Sequence, residues 1–314
     1  MYGKWNTSNA LIQGFRGEGE YDYGACSVPQ LLAGNDPVLT SYDGSGRYED
    51  YVNTHNATFY SDGTNPCYEN ADYLKYTVQA YHHDNSDAAT WDYIVLNDNT
   101  RSPASYTSRR QSLHVLNSTF IDWFIQTGAT PIFWFTYGYW TDHRNMTSFQ
   151  DVPTFTSLTY TGYRKYADLI GSRLPESQKP RIAPIGFAFL TIWEEDFPFW
   201  LTLFHWDSIH PSPAGTFLEG LVMHHTLYGH LPKRSDVILD NMSMLWQTAR
   251  LMGPSTEPPK PFPTKEDATY LFRIAERVTQ EGHIPSCFTM YENGESIDGD
   301  TIRMDNGEFY RFSK

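Results

Sequence analysis

Three features are scarce in this sequence, and each scarcity excludes a class of protein. The chain has only three cysteines, Cys26, Cys67 and Cys287, without the paired spacing of a zinc ribbon, so at most one disulfide can form. No long run of lysine and arginine interrupts the formal net charge of −14, so we expect no nucleic-acid partner. The most apolar runs, at 130–140 and 187–193, are shorter than the roughly 20 residues of a membrane helix, so we expect no membrane span.

The N-terminal sequence MYGKWNTSNA has no apolar core and is not a secretory signal. Acceptor motifs for N-glycosylation nevertheless occur five times, which is more than the two or three we expect by chance, at Asn6, Asn56, Asn117, Asn145 and Asn241. The motifs predict a glycoprotein of the secretory pathway, although this chain carries no signal peptide.

The fold class follows from an alternation of strand-like and helix-like segments. Continuous apolar runs at 91–97, 130–136 and 181–186 predict strands buried on both faces. Between them, apolar residues at three- and four-residue spacing predict helices over 105–127 and 154–173. Strands that alternate with helices form parallel sheets covered by helices, so we predict an α/β fold, a three-layer α/β/α sandwich.

The chain length permits one large domain or two smaller ones, and we predict one main domain, over 1–230, with a C-terminal extension over 231–314. Within the extension we predict a helix over 231–252, a proline-rich linker around 255–263 and a helix over 266–282. Two Asn-Gly pairs near the end indicate a small hairpin. Two independent domains joined by the linker are the alternative.

The stretch HWDSIHPSPAG at 205–215 carries the strongest chemical signal. Ser212 can cap a helix and Pro213 fits its first position, so Asp207 and His210 lie in the loop just before that helix. Their three-residue spacing lets the carboxylate turn onto Nδ1 of the imidazole, which fixes the tautomer and leaves Nε2 to take a proton. The pair therefore forms either an oriented base or a local hydrogen bond without a catalytic role.

A second signal lies in VLNDN, at 95–99, where Asn97 and Asp98 follow the first predicted strand. Ligands of open α/β sheets bind beyond the carboxyl ends of the strands. An amide donor at that place suits an oxyanion hole.

Together, WDYIVLND at 91–98 and WDSIHP at 206–211 resemble the third and fifth sequence blocks of the SGNH (GDSL-like) hydrolase superfamily, with the similarity spanning roughly residues 1–230. Its members are mostly esterases that act on lipids or acetylated carbohydrates. The resemblance implies that Asp207 and His210 supply the acid and base and that Asn97 contributes to the oxyanion hole. Val95 departs from the family pattern, because a glycine usually opens the third block.

The second block of the family supplies a glycine amide to the oxyanion. DGSGRYEDY at 43–51 resembles this block, with Gly46 as the better candidate and Gly44 as the alternative. A glycine turn without function explains the same residues.

The nucleophile is the point at which the resemblance weakens. Aligned on Gly3, Thr7 and Asn9, the family's serine position falls on Trp5. We therefore expect the first strand and its serine to be missing from this chain, unless Ser8 lies within hydrogen-bond reach of His210. The implied function is hydrolysis of carboxylic esters of small molecules, lipids or carbohydrates, and the alternative is an inactive carbohydrate-binding or interaction glycoprotein on the same fold.

Other candidates have simpler explanations. His205, Asp207 and His210 cannot converge on one metal with His224 and His225, which lie more than three turns into the predicted helix, so we expect no metal and no cofactor. Arg101 either holds a substrate that bears a carboxylate or an acetyl group, or forms a surface ion pair. Aromatic residues near the second strand could line a sugar platform or pack in the core, and these are Trp134, Phe135, Tyr137, Tyr139 and Trp140.

Overall fold

A parallel sheet organises the described part of the chain. The computed structural model of the protein describes residues 92–139, 149, 151–242, 261–291, 296–297, 301–303 and 309–311. Its strands β1 (Tyr93–Leu96), β2 (Thr130–Trp134) and β3 (Arg181–Ala183) pair in the order β1-β2-β3, and both pairings are parallel. The α/β class and the parallel sheet with flanking helices are therefore confirmed.

The connection from β1 to β2 is helical but broken into pieces. It contains α1 (Arg101–Ala104), α2 (Tyr106–Val115), a π-helical turn (Leu116–Phe120) and α3 (Ile121–Thr127). The last piece ends at Gly128, whose φ of 72° lies in the left-handed region that glycine adopts without strain. The helix predicted over 105–127 is therefore present as a continuous helical run over 106–127, with a π-helical turn in its middle.

Helix α4 (Val152–Gly171) connects β2 to β3 and packs on the sheet. It begins where Asp151 accepts a hydrogen bond from the backbone amide of Thr154, two residues before the predicted start of the helix. Phe133 of β2 contacts Tyr163 and Tyr166 of this helix, with ring centres 6.0 and 5.9 Å away. A short 3₁₀ turn (Glu176–Gln178) then leads into β3.

Three helices follow β3: α5 (Ile185–Glu195), α6 (Phe197–Thr202) and α7 (Pro213–Tyr228). The predicted strand at 181–186 is therefore wrong after Ala183. The cause is that the apolar run continues for a whole buried helix, and a short apolar window does not distinguish the two structures. Gly186 lets α5 approach β2, because a Cβ there would lie 2.4 Å from the ring of Phe135.

The C-terminal extension contributes to the same hydrophobic core. Helix α9 (Lys265–Thr279) begins with a capping box of Thr264 and Asp267 and packs against α5 and α7. Its buried face presents Leu271, Ile274 and Val278 to that core. The division into a domain over 1–230 and an extension over 231–314 stays a prediction.

The helix predicted over 231–252 is wrong in its described part, because α8 covers only Arg234–Val237 and residues 238–241 are not helical. Ile238 is extended, and Asp240 and Asn241 have side chains that compete with helical hydrogen bonds. Near the C-terminus, where we predicted a hairpin, β4 (Ser296–Ile297), β5 (Thr301–Arg303) and β6 (Phe309–Arg311) form an antiparallel sheet.

We predicted that the first strand, β1, is buried on both faces. Val95 of this strand is 44% exposed, so the prediction is wrong at this residue. The reason is its position, since β1 lies at the edge of the described sheet and only β2 pairs with it there. Within the described residues, no helix combines the length and the apolar character needed to cross a membrane.

Candidate active site

A short closed loop before α7 holds the Asp207 and His210 side chains. Phe204 and Pro211 pair as an antiparallel bridge, and the amide of His205 donates to the carbonyl of His210 at 2.7 Å. One residue further out, the amide of Ser212 donates to the carbonyl of Leu203 at 2.8 Å. Backbone hydrogen bonds thus join the two ends of the loop.

Helix α7 begins where the sequence predicted. The Ser212 hydroxyl accepts from the amide of Gly215 at 3.2 Å and donates to the carbonyl of Thr202 at 2.7 Å, and Pro213 is the first helical residue. A Cβ on Gly215 would lie 2.3 Å from the Leu203 carbonyl oxygen and 3.0 Å from Cβ of Pro211. Glycine at 215 therefore allows the loop to sit directly on the first turn of the helix.

Within the loop, the Asp207 carboxylate contacts both the imidazole and the backbone. Oδ2 lies 2.5 Å from Nδ1 of His210, and Oδ1 accepts from the amides of Ile209 and His210, each at 2.9 Å. Ser208, between them, has a φ of 60°, an uncommon conformation for a residue with a side chain. The contact expected from the three-residue spacing is present, and both the catalytic and the purely local interpretations require it.

Opposing effects set the pKa of Asp207. Partial burial would raise the pKa, but the hydrogen bonds from the His210 side chain and from the amides of His210 and Ile209 lower it overall. The carboxylate is therefore charged at neutral pH, and an imidazole that donates Nδ1–H to it must accept a proton through Nε2.

Two buried groups from other elements lie beneath the loop. The Tyr137 hydroxyl, three residues after β2, donates to the carbonyl of Ile209 at 3.4 Å. Its ring stacks on Phe189 with centres 3.8 Å apart. Burial raises the pKa of the Glu219 carboxyl group, in α7, to about 8, and the nearby Tyr137 side chain opposes that rise. Glu219 was missed by the sequence reasoning, and its available signal was a single carboxylate inside the otherwise apolar run FLEGLVM.

The two residues that follow β1 differ in their exposure to solvent. Asn97 is exposed, whereas Asp98 is only 2% exposed. The carboxylate of Asp98 accepts from the Ser112 hydroxyl at 2.6 Å and from the Tyr166 hydroxyl at 3.0 Å, and its amide donates to Tyr163 at 3.0 Å. Asp98 therefore fixes the segment that carries Asn97.

The parallel topology places these groups at one edge of the sheet. Asn97 follows β1 and Tyr137 follows β2, and Tyr137 contacts the loop that carries His210. Ser8, Gly44 and Gly46 lie outside the described residues, so the nucleophile and the second oxyanion donor stay predictions.

The remaining candidates that the structure describes lie in other surroundings. Phe135 and Tyr137 are buried in the core and cannot line a sugar platform, Tyr139 packs on Phe155, and Trp140 lies outside the described residues. The guanidinium of Arg101 lies 5.5 Å from the ring centre of Phe149.

His224 and His225, which we predicted not to share a metal with the 205–210 loop, have different surroundings in α7. His224 Nδ1 lies 2.9 Å from the carbonyl oxygen of His230. Partial burial, helped by His230 and His224, lowers the pKa of His225. Within the ranges that the structure describes, no three His, Cys, Asp or Glu side chains are grouped as a metal site requires.

Comparison with known proteins gives one weak similarity. A candidate SGNH hydrolase from Slackia heliotrinireducens, of known structure, is similar with a TM-score of 0.37 and 18% identity, over 53% of this chain and 78% of that chain. No family model matches the sequence, and no curated protein matches it significantly. At this level of similarity we draw no functional conclusion from the neighbour.

Proposed function

We propose that the chain carries a hydrolase site for carboxylic esters, of the SGNH type, in which Asp207 and His210 are the acid–base pair. The observation that supports it most directly is the 2.5 Å contact between Asp207 Oδ2 and Nδ1 of His210, in a loop closed by backbone hydrogen bonds. A base must be held in one tautomer and one orientation to act in every turnover, and this loop provides both.

In the proposed reaction, Nε2 of His210 takes the proton of a serine hydroxyl as the serine oxygen attacks the ester carbonyl carbon. The carbonyl π electrons move to oxygen, and the Asn97 amide with a backbone N–H of Gly46 stabilises that charge. When the tetrahedral intermediate collapses, the alcohol leaves with the proton from His210. Water then attacks the acyl-serine by the same route and releases the carboxylic acid.

The substrate class proposed is a small-molecule, lipid or carbohydrate ester, including carbohydrate O-acetyl groups. Hydrolysis of a short-chain nitrophenyl ester tests the reaction. We expect His210→Ala to lower kcat by about 10²- to 10⁴-fold, the usual contribution of a general base. His114→Ala is the matched control, since His114 is an exposed histidine of α2, and it should keep full activity.

Turnover that survives in His210→Ala would contradict the proposed role of His210, and no turnover by the wild type would mean that this polypeptide lacks a complete catalytic site. Binding to a glycan array without any ester turnover would favour the alternative function, an inactive carbohydrate-binding glycoprotein.

The nucleophile can be identified separately. A fluorophosphonate probe reacts covalently with an activated serine, and mass spectrometry of the labelled peptides locates it. Labelling at Ser8 that is lost in both Ser8→Ala and His210→Ala would make Ser8 the nucleophile. An unlabelled chain would mean that this polypeptide lacks its own nucleophile.

The proposal includes passage through the secretory pathway. Two of the five glycosylation motifs lie at exposed positions of the described chain, Asn117 and Asn241. Expression in a eukaryotic secretory host should therefore give a protein whose mass falls on treatment with an endoglycosidase. An unchanged mass would contradict the glycoprotein assignment.

A further inference from the structure

Tyr137 is a buried tyrosine to which the proposed reaction gives no role. It lies three residues beyond the carboxyl end of β2, and only 5% of its surface is exposed. Its hydroxyl donates to the carbonyl of Ile209 at 3.4 Å, across 72 positions of the chain. A buried side chain that reaches the loop in this way can affect His210 without touching a substrate.

The ring of Tyr137 is held between two other aromatic rings. It stacks on Phe189 of α5 with centres 3.8 Å apart and planes 14° apart. The ring of Phe204, at the base of the loop, meets it nearly at a right angle, with centres 5.3 Å apart. Rings packed on two sides leave little space for the Tyr137 side chain to rotate, so its hydroxyl stays near the loop.

The backbone beside Tyr137 is fixed to α4. The amide of Gly138 donates to the hydroxyl of Thr156 at 3.0 Å. A Cβ at position 138 would lie 2.7 Å from Oγ1 of Thr156 and 2.8 Å from the carbonyl oxygen of Val152, so the chain passes directly against the helix there. Tyr137 therefore reaches the loop from a support that α4 and α5 hold in place.

The peptide group between Ile209 and His210 is bound at both ends. Its carbonyl oxygen accepts from the Tyr137 hydroxyl, and its N–H donates to Oδ1 of Asp207 at 2.9 Å. The same carboxylate contacts Nδ1 of the imidazole through Oδ2. A rotation of this peptide would separate its N–H from Asp207 and would move the Cα of His210 together with the imidazole. The contact of the carbonyl with Tyr137 opposes that rotation.

The backbone hydrogen bonds that close the loop act on neighbouring peptides. The carbonyl of His210 accepts from the amide of His205, and the amide of Ser212 donates to the carbonyl of Leu203. Ser208, just before Ile209, has a φ of 60°, which costs free energy in a residue with a side chain and persists where surrounding contacts hold it. For the Ile209–His210 peptide, these contacts come from Asp207 within the loop and from Tyr137 outside it.

We infer that Tyr137 is a positioning residue for His210, because its hydroxyl holds the Ile209 carbonyl and so keeps the imidazole in the orientation that Asp207 sets. The effect on catalysis rests on the proposed function, whereas the effect on the Ile209–His210 peptide does not. Since Tyr137 is buried, it acts through the loop and not by contact with the substrate. Loss of its hydroxyl should therefore lower kcat and leave KM almost unchanged.

Ester hydrolysis by Tyr137→Phe tests the inference through activity. Phenylalanine keeps the ring that packs on Phe189 and Phe204 and removes only the hydroxyl. We expect kcat to fall about 3- to 10-fold, the equivalent of one hydrogen bond, and KM to change by less than about twofold. Tyr160→Phe is the matched control, since the ring of Tyr160 packs on Phe187 of the same aromatic core, and this variant should keep the wild-type kcat.

Amide hydrogen exchange, measured by NMR, needs no substrate and separates a local effect from a general loss of stability. In Tyr137→Phe we expect the amide of His210 to exchange about 3- to 10-fold faster than in the wild type, because the peptide that carries it has lost its carbonyl contact. The amide of Ser212, which binds the Leu203 carbonyl at the base of the loop, should keep its wild-type rate. In Tyr160→Phe both rates should be unchanged.

Three results would overturn the inference. They are a wild-type kcat in Tyr137→Phe, an equal fall of kcat in Tyr160→Phe, and exchange at His210 that is either unchanged or accelerated only as much as exchange at Ser212. The last result would mean that the Tyr137 hydroxyl does not hold this peptide in particular. If the wild type does not hydrolyse esters, the exchange rates alone decide whether Tyr137 positions His210.

Discussion

Asp207 binds His210 at two atoms, through Oδ2 to the imidazole Nδ1 and through Oδ1 to the backbone amide. One carboxylate thus fixes the ring and the chain segment that carries the ring. The loop needs no support from a distant aspartate to hold the imidazole, and the orientation of the base depends on very few residues.

Replacing Asp207 by Asn separates these two contacts. The amide oxygen of Asn can still accept from the backbone, but its NH2 group cannot accept from Nδ1–H, so the imidazole tautomer should change. We expect kcat for ester hydrolysis to fall by about 10²- to 10⁴-fold with little change in KM. Kinetics together with the ¹⁵N NMR tautomer signature would check this, and an unchanged tautomer would contradict it.

Gly215 and Gly220 lie in the same helix and offer a matched pair. Alanine at 215 places a Cβ against the Leu203 backbone carbonyl, which cannot easily move, whereas alanine at 220 meets no atom within 4 Å. We expect Gly215→Ala to lower the free energy of unfolding by about 1–3 kcal/mol. Gly220→Ala should raise it by about 0.5–1 kcal/mol. Urea denaturation of both variants tests the pair, and equal effects would refute the close approach.

Substitutions of the neighbouring residues Asn97 and Asp98 should have different effects, one on catalytic activity and the other on the stability of the fold. Asn97 is exposed, so Asn97→Ala should change the free energy of unfolding by less than about 0.5 kcal/mol. In the proposed oxyanion role its loss should lower kcat about 10²- to 10³-fold. Thermal unfolding and ester kinetics, measured on the same samples, test both expectations. An Asn97→Ala variant with wild-type activity would contradict the proposed oxyanion role of Asn97.

Asp98→Asn should instead destabilise the fold by about 1–3 kcal/mol, because the Ser112 and Tyr166 hydroxyls converge on one buried carboxylate oxygen. Asp122→Asn makes the same substitution at an exposed position of α3 and should change the stability only slightly. If Asp98→Asn has the same thermal unfolding midpoint as the wild type, the hydrogen bonds from Ser112 and Tyr166 to Asp98 contribute nothing to stability.

The raised pKa of Glu219 has a consequence for stability. The folded protein holds this proton more tightly than the unfolded chain, so the associated stability is complete below about pH 4.5. It is lost as pH rises towards about 8. Glu219→Gln should lack this loss and gain stability relative to the wild type by at most about 5 kcal/mol at pH 9. Denaturation at several pH values measures the difference, and parallel curves would contradict a raised pKa.

The parts of the site that could be predicted from the sequence are local in the chain. These features are the Ser212 cap, Pro213 in the first helical turn and the contact of Asp207 with His210. In each of them the interacting residues are at most three positions apart, so short-range chemistry determines the structure. The parallel sheet was also predictable, because buried strands separated by helices have few other arrangements.

The parts that could not be predicted depend on packing between distant segments. Glu219 has a raised pKa because α7 buries it near Tyr137, 82 positions earlier in the chain, and a helix pattern does not reveal these surroundings. Likewise, the apolar run after Ala183 is compatible with a strand or with a buried helix, and the sequence pattern alone does not distinguish the two.

The backbone closure of the 204–211 loop also bears on how this sequence can diverge during evolution. Because main-chain groups of His205 and His210 join its ends, most side chains in between are not needed for its shape. Homologous chains that keep the loop should therefore differ freely at Trp206, which is exposed, while position 208 should drift towards Gly, Asn or Asp, the residues that tolerate a positive φ. Asp207, by contrast, can be replaced only where the imidazole it holds is no longer used.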